Sequence, residues 1–485
     1  MAKSVKRNYI YSLSYQIFSI IMPFITSPYI ARVLGPENVG TFSFISTYVS
    51  YFVLFGRLSI DLYGSREISY VKNDLTKKSE VFWNLALLNF SNLLIALVIY
   101  TAWLLIYKPV NGMFYVLSSL TLLSSMLDIT WLFSAHEDFG MIALRNFIVR
   151  IISVVLLFVF VKSPNDVLNY FIINLITPLV INVSMLRYIN RYVIFIRPTF
   201  LNAYKRYPKV LKISLPNLAL SVYTMLDKLL LGAISGNEYL GYYDYSKRII
   251  GMAFTVVSSI TPIMMVKMSG HFKNNDLSSV RNYVAKSFKF SVFSSVLVFS
   301  LLISIIPEFI PWFYGSNFSS TIKLIQILSP TIIAAALQIV AGNQFLLSIG
   351  KENLLSLALA IGAAISFSLN MLLIPRYDAL GASITSLITE VTLAVILCVI
   401  ISKYINVKEL FRQNYKFFIF SLAVIIPLRI IGTRMGPSVL TNLLQVVLGV
   451  IIYLLLSFVF DKDINRYMND VVNKLISKLA TIKSR

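Results

Sequence analysis

Along nearly the whole chain, apolar residues arrive in successive blocks of about twenty, the length that crosses the roughly 30 Å hydrocarbon core of a bilayer as a helix. Within hydrocarbon a backbone must satisfy its own N–H and C=O groups, so each block is expected to be helical. Composition agrees. The 485 residues are 57% hydrophobic and only 13% charged, against about 25% charged in soluble domains. A water-soluble chain of this size could not hide so much apolar surface. The first block lacks a small-residue cleavage site and is followed by further blocks, so it is expected to be retained as a span.

Hydropathy places about fourteen spans: 10–32, 40–62, 82–107, 112–135, 141–161, 167–189 and 210–233, then 246–268, 286–306, 324–348, 354–375, 380–402, 416–434 and 438–460. An even number puts both termini on one side. The net charge of +22 is distributed between the sides unevenly. Alternate connections carry most of the basic residues, among them Lys72, Lys77, Lys78, Arg197, Lys205, Lys273, Lys403 and Lys408, while the opposite connections carry Lys108, Lys162, Arg376 and Arg434. Basic residues favour the cytoplasmic side, so both termini are expected there, in a multi-pass protein of the cell membrane. The same asymmetry accounts for the positive charge without nucleic acid, for which no soluble domain is visible. The tail 461–485 alternates charged and apolar residues, which fits either a surface helix on anionic lipid or a solvated tail. Cys398 is the single cysteine, and His136 and His271 are far apart; no cluster has zinc-ligand spacing, so no metal or cofactor is expected.

A short motif recurs. Gly35-Pro36-Glu37-Asn38-Val39-Gly40 follows the first span, and Gly236-Asn237-Glu238-Tyr239-Leu240-Gly241 follows the seventh. Both read G-x-E-x-x-G at equivalent places if the chain is six spans, six spans and two. The domains read accordingly as a six-helix bundle over 1–190, a basic cytoplasmic connector over 191–209, a second bundle over 210–402, two further spans within 403–460, and the tail. Six is even, so the halves would be parallel repeats, with substrate at their interface and alternating access by rocking.

Charges inside the spans are costly, about 2.5–3.5 kcal/mol each at mid-bilayer, and therefore tend to face a cavity or a partner. The basic candidates include Arg32, Arg57, Arg150, Lys228, Lys247 and Arg248, with Arg429 well inside a span. Acids are Asp61, Asp128, Asp227 and Glu390. Near span ends, long side chains can instead snorkel to the interface. Arg57 and Asp61 stand at i,i+4, a spacing that lets them pair on one helix face. The four acids are candidates to bind a coupling ion; the competing reading of each is a local ion pair, the stronger one for Asp61 and Asp227. A cationic cavity suits an anionic cargo, because guanidinium forks match phosphate oxygens.

Several stretches together resemble a known family: Pro28-Tyr29-Ile30-Ala31-Arg32-Val33-Leu34-Gly35-Pro36-Glu37, and Leu127-Asp128-Ile129-Thr130-Trp131-Leu132-Phe133 followed by Glu137, Phe139, Arg145 and Arg150. Leu226-Asp227-Lys228-Leu229-Leu230-Leu231-Gly232, Phe313-Tyr314-Gly315-Ser316-Asn317-Phe318 and Ile374-Pro375-Arg376-Tyr377-Asp378-Ala379-Leu380-Gly381 continue the likeness. It resembles the Wzx-type oligosaccharide flippases of the multidrug/oligosaccharidyl-lipid/polysaccharide exporter superfamily. The resemblance implies an all-α polytopic protein with two six-helix bundles around a cationic cavity, plus two helices. It implies a cargo of undecaprenyl-diphosphate-linked oligosaccharide moved from the inner to the outer leaflet for surface polysaccharide biosynthesis, coupled to Na+ or H+. It also implies contact with polysaccharide assembly proteins. The cavity positives would fall on Arg32, Arg145, Arg150, Lys228 and Arg248. Asp378 departs from the family, which usually has glycine there, so the turn is expected to differ.

Two other functions remain. A drug exporter of the same superfamily would call for acidic rather than basic cavity residues. A polymerase or ligase acting on the same lipid-linked sugars would need catalytic groups presented outside, and no base–nucleophile pair stands out.

Overall fold

The structure, a computed structural model, describes residues 5–259, 261–274 and 276–466. Every regular element among them is helical. Helix α1 (Val5–Arg57) is followed by α2 (Ile60–Tyr70), α3 (Leu75–Tyr107), α4 (Gly112–Met126), α5 (Thr130–Ala135), α6 (Phe139–Phe160), α7 (Val167–Leu186), α8 (Phe200–Tyr204) and α9 (Tyr207–Ile234). Then come α10 (Asn237–Ser258), α11 (Thr261–Lys273), α12 (Leu277–Phe313), α13 (Ser320–Leu328), α14 (Thr331–Gln338) and α15 (Glu352–Ser402). The π-helical stretch Ile339–Leu346 continues α14, and α16 (Val407–Asn414), α17 (Lys416–Met435) and α18 (Val439–Phe460) complete the order. Asp74 and Ser438 cap α3 and α18, their side chains accepting from the Lys77 and Thr441 amides and so satisfying donors that a helix start leaves open.

Ten described stretches are long and apolar enough to cross a membrane. Two of them, Ile21–Tyr70 and Glu352–Ser402, are 50 and 51 residues long, about twice the length one crossing needs. Each is interrupted by a non-helical residue, Gly35 (φ 74°) in the first and Asp378 (φ 49°), near the middle of the second. Counted as two crossings apiece, they bring the described stretches to twelve, against about fourteen spans placed by hydropathy; the 22-residue helices α6 and α10 lie where two further spans are expected. The chain is a polytopic all-α membrane protein. Of the tail expected over 461–485, residues 467–485 lie outside the described residues.

The chain forms two compact units, Met1–Asp244 with Ala363–Ala382, and Tyr245–Gly362 with Ser383–Arg485. In the first, α4 packs along α7, and α1 packs against α3, α4 and α6. Phe42 fills a corner there, its ring edge-on to Tyr170 and Phe171 at 4.8 and 4.9 Å. In the second, α12 packs against α14, α17 and α18. Polarity is reversed relative to a soluble protein. Leu105, Ile106 and Val110 are exposed, whereas Ser287, Ser291, Ser295, Ser300 and Ser304 are buried along α12. Small residues let helices approach closely in lipid, and hydroxyls then bond across the contact. Ser300 Oγ donates to Ser421 Oγ of α17 at 2.7 Å.

The two G-x-E-x-x-G motifs meet within the first unit. Gly35 and Gly236 both take positive φ, 74° and 93°, which glycine adopts without a Cβ clash. Gly40 lies so close to the Asn237 backbone that a methyl there would overlap its carbonyl, and Gly241 lies likewise on the Pro36 carbonyl. Asn237 Nδ2 donates to Thr41 Oγ1 at 3.0 Å beside them.

Candidate functional site

The intramembrane charges fall into three environments. Arg57 ends α1, and the chain turns sharply at Leu58 and Ser59, whose φ values are 49° and 50°. That break removes the i,i+4 relation expected between Arg57 and Asp61, because the two no longer share a helix. Arg57 Nη1 instead donates to Asp128 Oδ2 at 2.7 Å. Asp128 Oδ1 accepts from the Thr130 amide (2.9 Å) and hydroxyl (2.6 Å), which starts α5. Asp128 is therefore the member of a local ion pair, while Asp61 is exposed and has no ion pair among the described residues.

Asp227 reverses its expectation as well. Its neighbour Lys228 pairs with Asp244 of α10, a carboxylate only 3% exposed. Asp227 is 6% exposed and is held by neutral donors instead. Tyr243 Oη donates to Oδ2 at 2.7 Å, while Ser366 Oγ (3.0 Å) and Asn370 Nδ2 (2.7 Å) donate to Oδ1. The Asn370 Oδ1 atom is buried beside them with no hydrogen-bond partner among the described residues. Neutral donors stabilise a buried carboxylate without cancelling its charge. The arrangement offers a carboxylate and an amide oxygen to a small cation, or a carboxylate to a proton.

The other basic candidates are spread. Arg32 and Arg150 are exposed, and Arg150 has no ion pair among the described residues. Arg145 is half-buried and donates to Asn146 Oδ1 at 2.8 Å. In the second unit Lys247 Nζ donates to Ser386 Oγ at 2.8 Å. Arg248 lies over the Tyr245 ring, 4.7 Å from its centre. Tyr245 is itself buried against Tyr314 and Phe318 of the Phe313–Phe318 stretch. Glu390 accepts from Gln338 Nε2 at 2.6 Å, just before the π-helical stretch, a distortion that often marks functional sites.

Sequence reading missed several of these groups. Asp244 lies two residues before a span limit, and Ser366 and Asn370 are uncharged, although polar side chains well inside a span are the available signal. Arg429 of α17, noted above for its depth, bonds both oxygens of Glu308 of α12 at 3.0 and 2.8 Å, and the Ser304 carbonyl at 3.0 Å. Gly432 and Gln445 close over that pair. No group of three or more metal-binding side chains occurs among the described residues.

Residues 5–266 match a family described as "Polysaccharide biosynthesis protein". A protein of Escherichia coli (strain K12) named "Putative O-antigen transporter" is 23% identical over 397 residues, which is 80% of this chain and 94% of that protein. A protein of the same name from Shigella dysenteriae is 22% identical over 76% of this chain and 93% of its own length. In fold, the chain is similar to the lipid II flippase MurJ in an inward closed conformation, with TM-score 0.77 and 15% identity over 94% of this chain and 99% of that one. An inward-facing multidrug resistance MATE family transporter has TM-score 0.64 and 10% identity, covering 82% of this chain and 96% of that one.

Proposed function

The chain belongs to the polysaccharide biosynthesis protein family, and we propose that it is a flippase for lipid-linked oligosaccharides, a transporter rather than an enzyme. One observation carries the reading: the likeness runs along most of the chain twice over, in sequence to proteins named as transporters and in fold to a lipid flippase. The motif resemblance to Wzx-type flippases points the same way.

The cargo is an oligosaccharide on undecaprenyl diphosphate, moved from the inner to the outer leaflet between two six-span halves, 1–190 and 210–402, with both termini cytoplasmic. The diphosphate binds arginines and lysines, for which the exposed Arg32 and Arg150 are the leading choices. Forked guanidinium donors suit its oxygens. An excess of positive charge favours this cargo over the cationic drugs of related exporters. Coupling to Na+ or H+ runs through Asp227, whose buried carboxyl accepts from the neutral donors Tyr243, Ser366 and Asn370. Alternating access and contact with polysaccharide assembly proteins belong to the same reading.

The test is depletion in the native cell, with lipid-linked oligosaccharide measured by leaflet using an external lectin or glycosidase. Complete units accumulating inside, with loss outside, is the expected result. Normal external exposure of single units with loss of polymer would overturn it and point to a polymerase or ligase.

A further inference from the structure

We propose that a groove on the second unit is a binding site for one acyl chain of an anionic membrane phospholipid, whose phosphate sits on Lys403 and Lys408. The groove has a volume of about 510 Å³ and lies between α14, the second half of α15, and α16. Ile333, Leu337, Val391, Val395, Val399 and Phe411 are among its lining residues, and apart from Ser402 and the Cys398 thiol its lining side chains are hydrocarbon. Water gains nothing in such a space, because a bound water needs two to four polar partners.

The groove's length selects the occupant. From Val391 to Ser402 the lining helix rises about 16 Å at 1.5 Å per residue. That is half of the roughly 30 Å hydrocarbon core, the reach of one lipid chain in one leaflet.

Its end selects the headgroup. Val391, Val395 and Val399 form one i,i+4 stripe along α15, and the next position of that stripe is Lys403, which still has helical backbone angles. Across the mouth, Val407 and Phe411 line the groove from α16, and Lys408 and Arg412 occupy the adjoining stripe of the same helix. Asn406 caps α16 through the Glu409 amide, and Phe411 is fixed edge-on to Phe288 at 5.1 Å, so this wall is held in place. Arg412 is paired with Glu409 at 2.9 Å. Lys403 and Lys408 are exposed, with no ion pair among the described residues. Tyr415, which caps the end of α16, is also exposed, as aromatic residues are where membrane meets water. An apolar trough half a bilayer long, ending at two uncompensated ammonium groups, matches one phospholipid chain ending in a phosphate. The proposal stands on the membrane fold and this groove, and does not depend on the cargo.

The test is native mass spectrometry of the purified full chain, supplied with equal phosphatidylglycerol and phosphatidylcholine. Preferential retention of one phosphatidylglycerol is expected, and Lys403→Gln and Lys408→Gln should each lower that preference about fivefold, as one lysine near an anionic surface would. Val395→Trp should expel the lipid while leaving the unfolding temperature in zwitterionic lipid unchanged; should it unfold instead, the two glutamine variants still decide. Equal retention of both lipids by the native chain would overturn the proposal, as would a preference that survives in the double glutamine variant. Undecaprenyl phosphate displacing phosphatidylglycerol one for one would also overturn it, assigning the groove to the cargo's tail.

Discussion

Gly40 rests directly on the backbone carbonyl of Asn237, and its counterpart Gly241 rests in the same way on the carbonyl of Pro36. The contact is reciprocal between two copies of one motif. Any side chain at either position must push two backbones apart. Gly40→Ala and Gly241→Ala should each cost about 1–3 kcal/mol, the range for overfilling a packed site. Gly251 on α10 has open space around it and is the control, where alanine should gain up to about 1 kcal/mol through helix propensity. Unfolding temperatures of the three variants in one detergent check this; equal effects at Gly40 and Gly251 would show that close approach is not what the motif provides.

Asp227 supplies a second test, independent of any transport assay. A ligand that binds only the folded state raises its stability, by about 2.7 kcal/mol at a hundred times the dissociation constant. If Asp227 takes Na+, the unfolding temperature of the native chain should rise with Na+ but not with a bulkier monovalent cation, and Asp227→Asn should abolish that rise. If it takes a proton, the same substitution should remove a pH dependence instead. A variant that keeps the native response to both would exclude Asp227 as the coupling site.

The pair between Arg429 and Glu308 anchors α17 to α12. Glu308 is 7% exposed, so removing its partner leaves a buried charge. Arg429→Met alone should cost about 3 kcal/mol, the low end for a broken buried pair because Arg429 is partly exposed. Adding Glu308→Leu should recover most of that loss, since an apolar pair of similar volume is often as stable. A double-mutant cycle on unfolding free energies measures the coupling; a value near zero would mean that the two side chains do not support each other.

Where α18 ends, Asp461 draws three elements together. It accepts from Lys289 of α12 at 2.7 Å, pairs with Lys416 of α17 at 2.6 Å, and accepts from the Ile464 amide at 2.9 Å. Burial pushes the Asp461 carboxyl up, but the bonds from Lys289, Lys416 and Ile464 outweigh it and hold the acid below its ordinary value of 3.8. A depressed acid contributes stability that is complete above its unfolded value and is lost as pH falls through the folded one. The gap in unfolding temperature between the native chain and Asp461→Asn should therefore be constant from pH 7 to about 5 and close below about 4. A gap that widened with acid would contradict this assignment.

Much of the fold was legible because its causes are local. Apolar length announces a crossing, and the repeated G-x-E-x-x-G motif marks two equivalent places in the chain, though not that they touch. Partnership was less legible. Spacing says which face of a helix a charge occupies, not which helix faces it. Asp227 finds Ser366 and Asn370, about 140 residues away in sequence, and Lys228 turns from its own neighbour to Asp244. Arg57 and Asp61 failed to pair because the left-handed residues Leu58 and Ser59, neither of them glycine, interrupt the helix between them. Asp378 shows the reverse case. It takes a φ of 49°, a conformation that glycine adopts without strain and aspartate does not.

Helix α12 is 37 residues long, which at 1.5 Å per residue is about 55 Å, nearly twice the thickness of a bilayer's hydrocarbon. Its first turns, with Arg281, Lys286 and Lys289, must stand in water while the serine-lined remainder is packed among its neighbours. The Lys289 clasp at Asp461 ties the wet portion to the ends of α17 and α18. The level of α12 against α17 and α18 is thereby set by the protein. In a membrane of unusual thickness this rod would hold its level, and the mismatch would be borne by the bilayer deforming around it.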